Sequence, residues 1–135
     1  MTFQQIHPAG WAKASGYANG VLVPPGHALL FVAGQIAWDA DQNLVGVDDF
    51  GAQFRQALAN VLAVVTTAGG RPEHVVRMTV FVADKDAYVA RLAEIGLAWR
   101  ELMGRNYPAM SLVEVAALLE PGALLEIEAT AALPA

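Results

Sequence analysis

Residues 75–83, VVRMTVFVA, constrain the fold more than any other segment. They are rich in β-branched side chains and too few for another helix, so they are expected to form a strand. Alternation puts Val76, Met78, Val80 and Val82 on one face and Val75 and Phe81 on the other. A strand with large apolar groups on both faces belongs in the middle of a sheet and needs a cover on each side.

Two amphipathic helices supply one cover. Phe50, Phe54, Leu58, Val61, Leu62 and Val65 follow helical spacing, with Asp48 or Asp49 as N-cap and Gly69-Gly70 as terminator. Tyr88, Leu92, Ile95, Trp99 and Leu102 repeat the pattern from near Asp84 to Gly104. Residues 17–23, 28–33, 110–118 and 124–132 read as further strands. The first two form an expected hairpin around Pro24-Pro25-Gly26. Glu120-Pro121-Gly122-Ala123 joins the last two, with Pro and Gly suited to the centre of a type II turn. The order β-β-α-β-α-β-β predicts an α+β fold with both helices on one face of a mixed sheet. The second helix makes a right-handed crossover if the next strand runs parallel. No residues remain for the second cover, so another subunit is expected to provide it.

Composition agrees. The chain of 135 residues suits a single domain over 1–135. With 56% hydrophobic and 16% charged residues, it is not a charge-rich disordered chain. That much apolar surface on so small a chain also points to an oligomer. Gly, Pro or charges interrupt every apolar run well short of the length that spans a bilayer, so no membrane span is expected. The opening MTFQQIHPAGW has neither the basic nor the apolar stretch of a signal peptide, and a soluble, cytoplasmic protein is expected. Eight basic residues, scattered from Lys13 to Arg105 against thirteen acidic ones, argue against nucleic acid as partner. The lack of cysteine removes disulfides, thiolate metal sites and Cys nucleophiles.

Little chemistry is left. His7, His27 and His74 stand far apart, without ligand spacing, and read as surface or turn residues; no metal site is expected. There is no dinucleotide fingerprint, phosphate loop or serine-hydrolase elbow, and the only serines are Ser15 and Ser111. Glu126 and Glu128 share one strand face, with Cα atoms about 6.5–7 Å apart. Two readings stand: a pair of solvated carboxylates, or a cleft carboxylate acting as general base toward water.

Six segments go further: Gly16-Tyr17-Ala18-Asn19-Gly20-Val21, Phe31-Val32-Ala33-Gly34-Gln35-Ile36, residues 53–61 (QFRQALANV), residues 76–84 (VRMTVFVAD), residues 107–115 (YPAMSLVEV) and Leu125-Glu126-Ile127-Glu128-Ala129. Together, and in this order, they resemble the Rid/YjgF family of reactive-intermediate deaminases over nearly the whole chain from Gly16. The resemblance implies a chorismate-mutase-like fold, a homotrimer, and ligand clefts between subunits. It also implies hydrolysis of short-lived enamines and imines, such as 2-aminoacrylate, to a carbonyl compound and ammonia without metal or organic cofactor. By the same resemblance Tyr17, Gly34 and Glu126 line the cleft, Leu112 contributes its main-chain carbonyl, and Glu126 handles water and protons.

The family's carboxylate-binding arginine, in its P-A-R-S motif, is here Met110. Methionine offers a polarisable apolar stem where a guanidinium binds a carboxylate bidentately. Losing such a buried charge partner costs about 2–5 kcal/mol. Leu92 stands where the family often has asparagine, and Ala33 replaces the serine of S-G-Q. These changes argue against 2-aminoacrylate as substrate. Either Arg105 swings a charge in from the preceding loop, or the ligand has no carboxylate there and meets an apolar pocket of Met110, Tyr17 and Trp38. Trp38 also reads as simple turn packing. His7 and Trp11, in the lead-in, could reach a neighbouring subunit. Two functions follow: a retuned imine or enamine deaminase, or a non-catalytic trimeric small-molecule binder. A ribonuclease or translation inhibitor, roles attached to some relatives, is disfavoured by the acidic balance.

Overall fold

A computed structural model describes residues 3–134. Its elements are β1 (Gln4–Ile6), β2 (Gly20–Leu22), β3 (His27–Gln35), α1 (Phe50–Thr67), β4 (Val75–Val82), α2 (Lys85–Val89), α3 (Leu92–Met103), β5 (Ala109–Glu114) and β6 (Leu125–Pro134), with one 3₁₀ turn at Pro72–His74. The main sheet has the order β3-β6-β4-β5. β6 is antiparallel to both neighbours, and β4 and β5 are parallel, so the sheet is mixed.

Helices α1 and α3 cover one face. Phe54, Leu58, Val61 and Val65 of α1 and Ile95, Ala98 and Trp99 of α3 are buried against Met78, Val80, Leu125 and Ile127 of the sheet. The Asp49 carboxylate accepts from the Ala52 N–H at 3.1 Å, a cap worth about 1 kcal/mol. Gly104 ends α3 at a φ of 64°, a conformation that disfavours side chains with a Cβ.

The opening hairpin does not form. β2 pairs instead with β1, in the register Gln4↔Leu22, Gln5↔Val21 and Ile6↔Gly20, as a separate two-stranded sheet. Pro24 and Pro25 lack the N–H groups a ladder needs, and Gly26 at a φ of 89° turns the chain into β3. The helix expected from Asp84 to Gly104 is broken into α2 and α3. No helix breaker stands at Val89-Ala90-Arg91-Leu92; the interruption accompanies Tyr88 packing edge-on against Phe50, ring centroids 6.2 Å apart. The last two strands flank β4 on opposite sides, although the turn between them forms as expected. Ala123 N–H donates to Glu120 O at 3.2 Å, with Gly122 at a φ of 86°.

The uncovered face also differs from expectation. A bulge between Val75 and Arg77 lets Val75 and Val76 both be buried, leaving Phe81 as the large apolar group of β4 on the open face. The exposed grease lies mainly on the edge strand β3, where Phe31 is 73% and Leu29 57% exposed. Glu126, Glu128 and Thr130 share this face through their pairing with Phe81, Thr79 and Arg77.

The side chain of Gln53 is wholly buried on α1 and ties three segments together. Its Nε2 donates to Gly46 O at 3.1 Å and Gly122 O at 3.0 Å, and its Oε1 accepts from Leu124 N–H at 2.9 Å. Gln53→Leu strands two carbonyls and one amide, each of which costs about 1–3 kcal/mol when dry. Urea titration of this variant should show a loss of about 2–4 kcal/mol after partial hydration. Stability within about 0.5 kcal/mol of the parent would show that the network is not holding these segments.

Candidate functional site

Glu126 is half-buried on the open face of β6, at the end of the strand that Gln53 anchors. β3 bulges between Val32 and Gln35, and the bulge lays Gly34 beneath the Glu126 side chain. A Cβ added to Gly34 would sit 2.8 Å from Glu126 Cδ and 3.0 Å from Cγ. Glycine is therefore required for close approach, at a φ that is not left-handed. Among the described residues the Glu126 carboxylate has no ion pair and no hydrogen bond, which leaves its lone pairs open to water or ligand. Glu128 is exposed on the same face.

The carboxylate opens into a cleft of about 850 Å³ shared with Gly34, Trp38, Gln56, Asn60 and Glu120. Asn60 Nδ2 donates to Trp38 O at 2.8 Å and Ile36 O at 3.1 Å. Gln56 Nε2 donates to Asn60 Oδ1 at 2.8 Å and Trp38 O at 3.3 Å. Asp39 closes the next turn, its Oδ1 accepting from Asp41 and Asn43 N–H at 2.9 Å. Gln53, Gln56 and Asn60 thus form a polar stripe along α1 that orders the wall of the cleft. Their role was missed from sequence, although the stripe's spacing of three and four residues is a legible signal.

Met110, Leu112 and Leu92 lie elsewhere. Met110 and Leu112 pair with Met78 and Val80 and face the helices, on the opposite side of the sheet from Glu126. They line a pocket of about 320 Å³ with Leu92, Tyr88, Trp99 and Tyr107. Tyr17, 42% exposed, lines an adjoining groove of about 660 Å³ with His7, Trp11 and Lys13. Ser15, Gly16 and Tyr107 belong to both, so groove and pocket are contiguous. One chain therefore carries two separate groups of these residues, two candidate half-sites: Glu126 with Gly34 and Trp38, and Tyr17 with Leu92, Met110 and Leu112. Trp38 lies with Glu126 rather than with Met110. Arg105 is exposed and lines none of these three cavities.

Each histidine is engaged in local structure: His7 with Gln5 and Asn19, His27 with Pro24 O, and His74 Nδ1 with Arg71 N–H. Among the described residues no three His, Cys, Asp or Glu side chains converge to hold a metal ion, and no helix is long and apolar enough to cross a membrane.

Two outcomes check this geometry. Gly34→Ala should displace the Glu126 side chain and cut ligand affinity or turnover about tenfold or more, since an ångström-scale misplacement suffices for that. Unchanged values would mean that the close approach has no function. Burial raises the Tyr88 phenol pKa above its ordinary value of 10.0. The neutral phenol then contributes stability that is fully present below pH 10 and lost as pH rises through the folded pKa. Denaturant titrations across that window should show a smaller decline for Tyr88→Phe than for the parent.

Residues 11–133 match the family model described as Endoribonuclease L-PSP. A RutC family protein of Synechocystis is 36% identical over 135 residues, covering 99% of each chain. A crystal structure of a conserved Rid family protein of unknown function from Yersinia pestis superposes with a TM-score of 0.87 at 36% identity, over 98% of this chain and 100% of that one. The YjgF gene product of E. coli superposes at 0.64 with 33% identity, over 85% of this chain and 86% of that one.

Proposed function

The chain belongs to the Rid/YjgF family, and on that premise we propose that it hydrolyses a reactive imine or enamine other than 2-aminoacrylate. The observation that carries this reading is the Glu126 carboxylate, pressed over Gly34 at a cleft and unpaired among the described residues. Such a group can take a proton from water as the oxygen adds to the C=N carbon. That proton passes to the imine nitrogen to give the neutral carbinolamine. The carboxylate then takes the hydroxyl proton and delivers it to the amine as the C–N bond breaks, which releases ammonia and leaves the carbonyl product. An enamine first gains a proton at carbon and then follows the same course. Overall one imine and one water give one carbonyl and one ammonia.

Glu126 and Met110 face opposite sides of one sheet, so a site that uses both half-sites forms between copies of the chain. A homotrimer is the assembly we propose, with the exposed Leu29 and Phe31 face buried between subunits and Tyr17 closing each cleft over a small molecule. The ligand is bound without metal or cofactor. Met110 supports a substrate unlike 2-aminoacrylate, since no guanidinium stands at that position to hold a small carboxylate. A net charge of −5 counts against the phosphate backbone of RNA as the ligand. The proposed compartment is the cytoplasm.

Met110 also favours a second reading, a trimeric binder that has lost the chemistry. Ammonia release from freshly generated imines and enamines, with and without carboxylates, separates the two. The enzyme reading expects turnover that Glu126→Gln lowers by about 10²- to 10⁴-fold without loss of trimer. Silence across a panel that an arginine-bearing relative hydrolyses establishes the binder instead. Met110→Arg should add 2-aminoacrylate hydrolysis if the anchor alone is missing.

A further inference from the structure

The pocket between α3 and β5 differs in chemistry from the cleft at Glu126. β4 and β5 give it Val80, Met110 and Leu112, and α3 gives it Leu92, Ile95 and Trp99. Tyr88 and Tyr107 add two more rings. The polar atom of Trp99 is already engaged, Nε1 donating to Asn106 O at 3.1 Å. Tyr107 stacks on that indole, centroids 5.9 Å apart and planes 7° off parallel. Among the described residues no buried side-chain nitrogen or oxygen lacks a partner, so the pocket's deep surface offers no polar group in need of a ligand. The pocket holds about 320 Å³. That is roughly twice the volume of an apolar cavity that takes benzene.

One lining residue is charged. Arg100 is exposed on α3 and makes no ion pair among the described residues. Its guanidinium lies over Gly96, 3.4 Å from where a Cβ would stand. A planar fork with five donors and no carboxylate is suited to an anionic ligand group.

We propose that this pocket receives an aromatic or comparably bulky apolar group of the substrate, and that Arg100 holds the substrate's anionic end in place of residue 110. The inference rests on the imine-hydrolase reading for the word substrate. The ligand class is then an arylalkyl 2-oxo acid and the imine that precedes it. A three-carbon acid carries no group to fill the pocket, which accords with the absence of an anchor at Met110.

Calorimetric titration of the full chain with phenylpyruvate, pyruvate and 2-phenylethanol tests both parts without requiring turnover. Phenylpyruvate should bind tightest, with pyruvate weaker by about 30-fold for want of ring burial. The alcohol should be weaker by about tenfold for want of a charge-assisted hydrogen bond. Arg100→Gln should bring phenylpyruvate and the alcohol to equal affinity. Gly96→Leu, which projects into the pocket and favours the helix, should abolish binding of both ring compounds with circular dichroism unchanged. If that variant fails to fold, Leu92→Trp supplies the same obstruction from an exposed site.

Pyruvate binding as tightly as phenylpyruvate, or no ligand binding at all, would overturn the pocket assignment. A preference for phenylpyruvate over the alcohol that survives Arg100→Gln would overturn the anchor. Ring-selective binding by a protein that releases no ammonia from any imine would sink the hydrolase reading alone. Hydrolysis of small imines by a protein indifferent to rings would sink this inference alone.

Discussion

One buried amide organises the end of the sheet where the carboxylate stands. Gln53 bonds simultaneously to the loop before α1, the turn before β6 and the first residues leading into β6. A buried side-chain amide is tolerated only when its donors and acceptor are met, and here three backbone partners meet them. The strand that carries Glu126 therefore enters the sheet in fixed register, because Leu124 is held two residues upstream. The same helix continues the task with Gln56 and Asn60, which hold the Trp38 carbonyl opposite the carboxylate. α1 is thus apolar toward the core and polar toward the loops, and both stripes serve the site.

That arrangement sets a geometric limit on what a single chain can do. Glu126 projects from the open face of β6, whereas Met110 and Leu112 project from the helix-covered face of β5. A small molecule cannot touch both through the intervening strand β4. The open face meanwhile exposes Phe31 and Leu29 on an edge strand, a feature that soluble chains ordinarily cover. Association of copies would answer both problems at once: it buries the edge and can bring one copy's carboxylate to another's pocket. Coupling of stability and site assembly is then a property of the interface rather than of either half-site.

Much of this was legible in the sequence, for identifiable reasons. Long periodic segments declared α1, and strand alternation put Glu126 and Glu128 on one face, where β6 has them. The Pro121-Gly122 turn was also readable, since only a positive φ at its third position closes it. Strand neighbours were not legible, because period-two patterning gives faces and not partners; β6 inserting beside β4 is a long-range choice. The bulge at Val75 was hidden for the same reason: an extra residue shifts which side chains point inward without leaving a local mark. The family resemblance singled out Glu126, Gly34 and Met110 but not Arg100 or Gln53. Charged helix residues look like surface from sequence, and the spacing of Gln53, Gln56 and Asn60 marks a polar stripe without saying what it bonds to.

The apolar pocket is pre-formed, and this bears on how it can discriminate. Asn106 accepts the Trp99 indole N–H on its carbonyl while its own amide donates to Pro72 O at 2.9 Å and Val75 O at 3.2 Å. The loop between α3 and β5 is therefore fastened to the start of β4, and Trp99 and Tyr107 are stacked before any ligand arrives. Little side-chain freedom remains to be lost on binding, which favours rigid apolar groups whose shape matches the cavity. A pocket built this way selects by volume and by exclusion of charge from its interior. Met110 lines this pocket with a thioether, so a carboxylate placed beside it would be desolvated without a partner. On the proposed reading, discrimination against a small acid would come as much from that unmet charge as from attraction toward a ring.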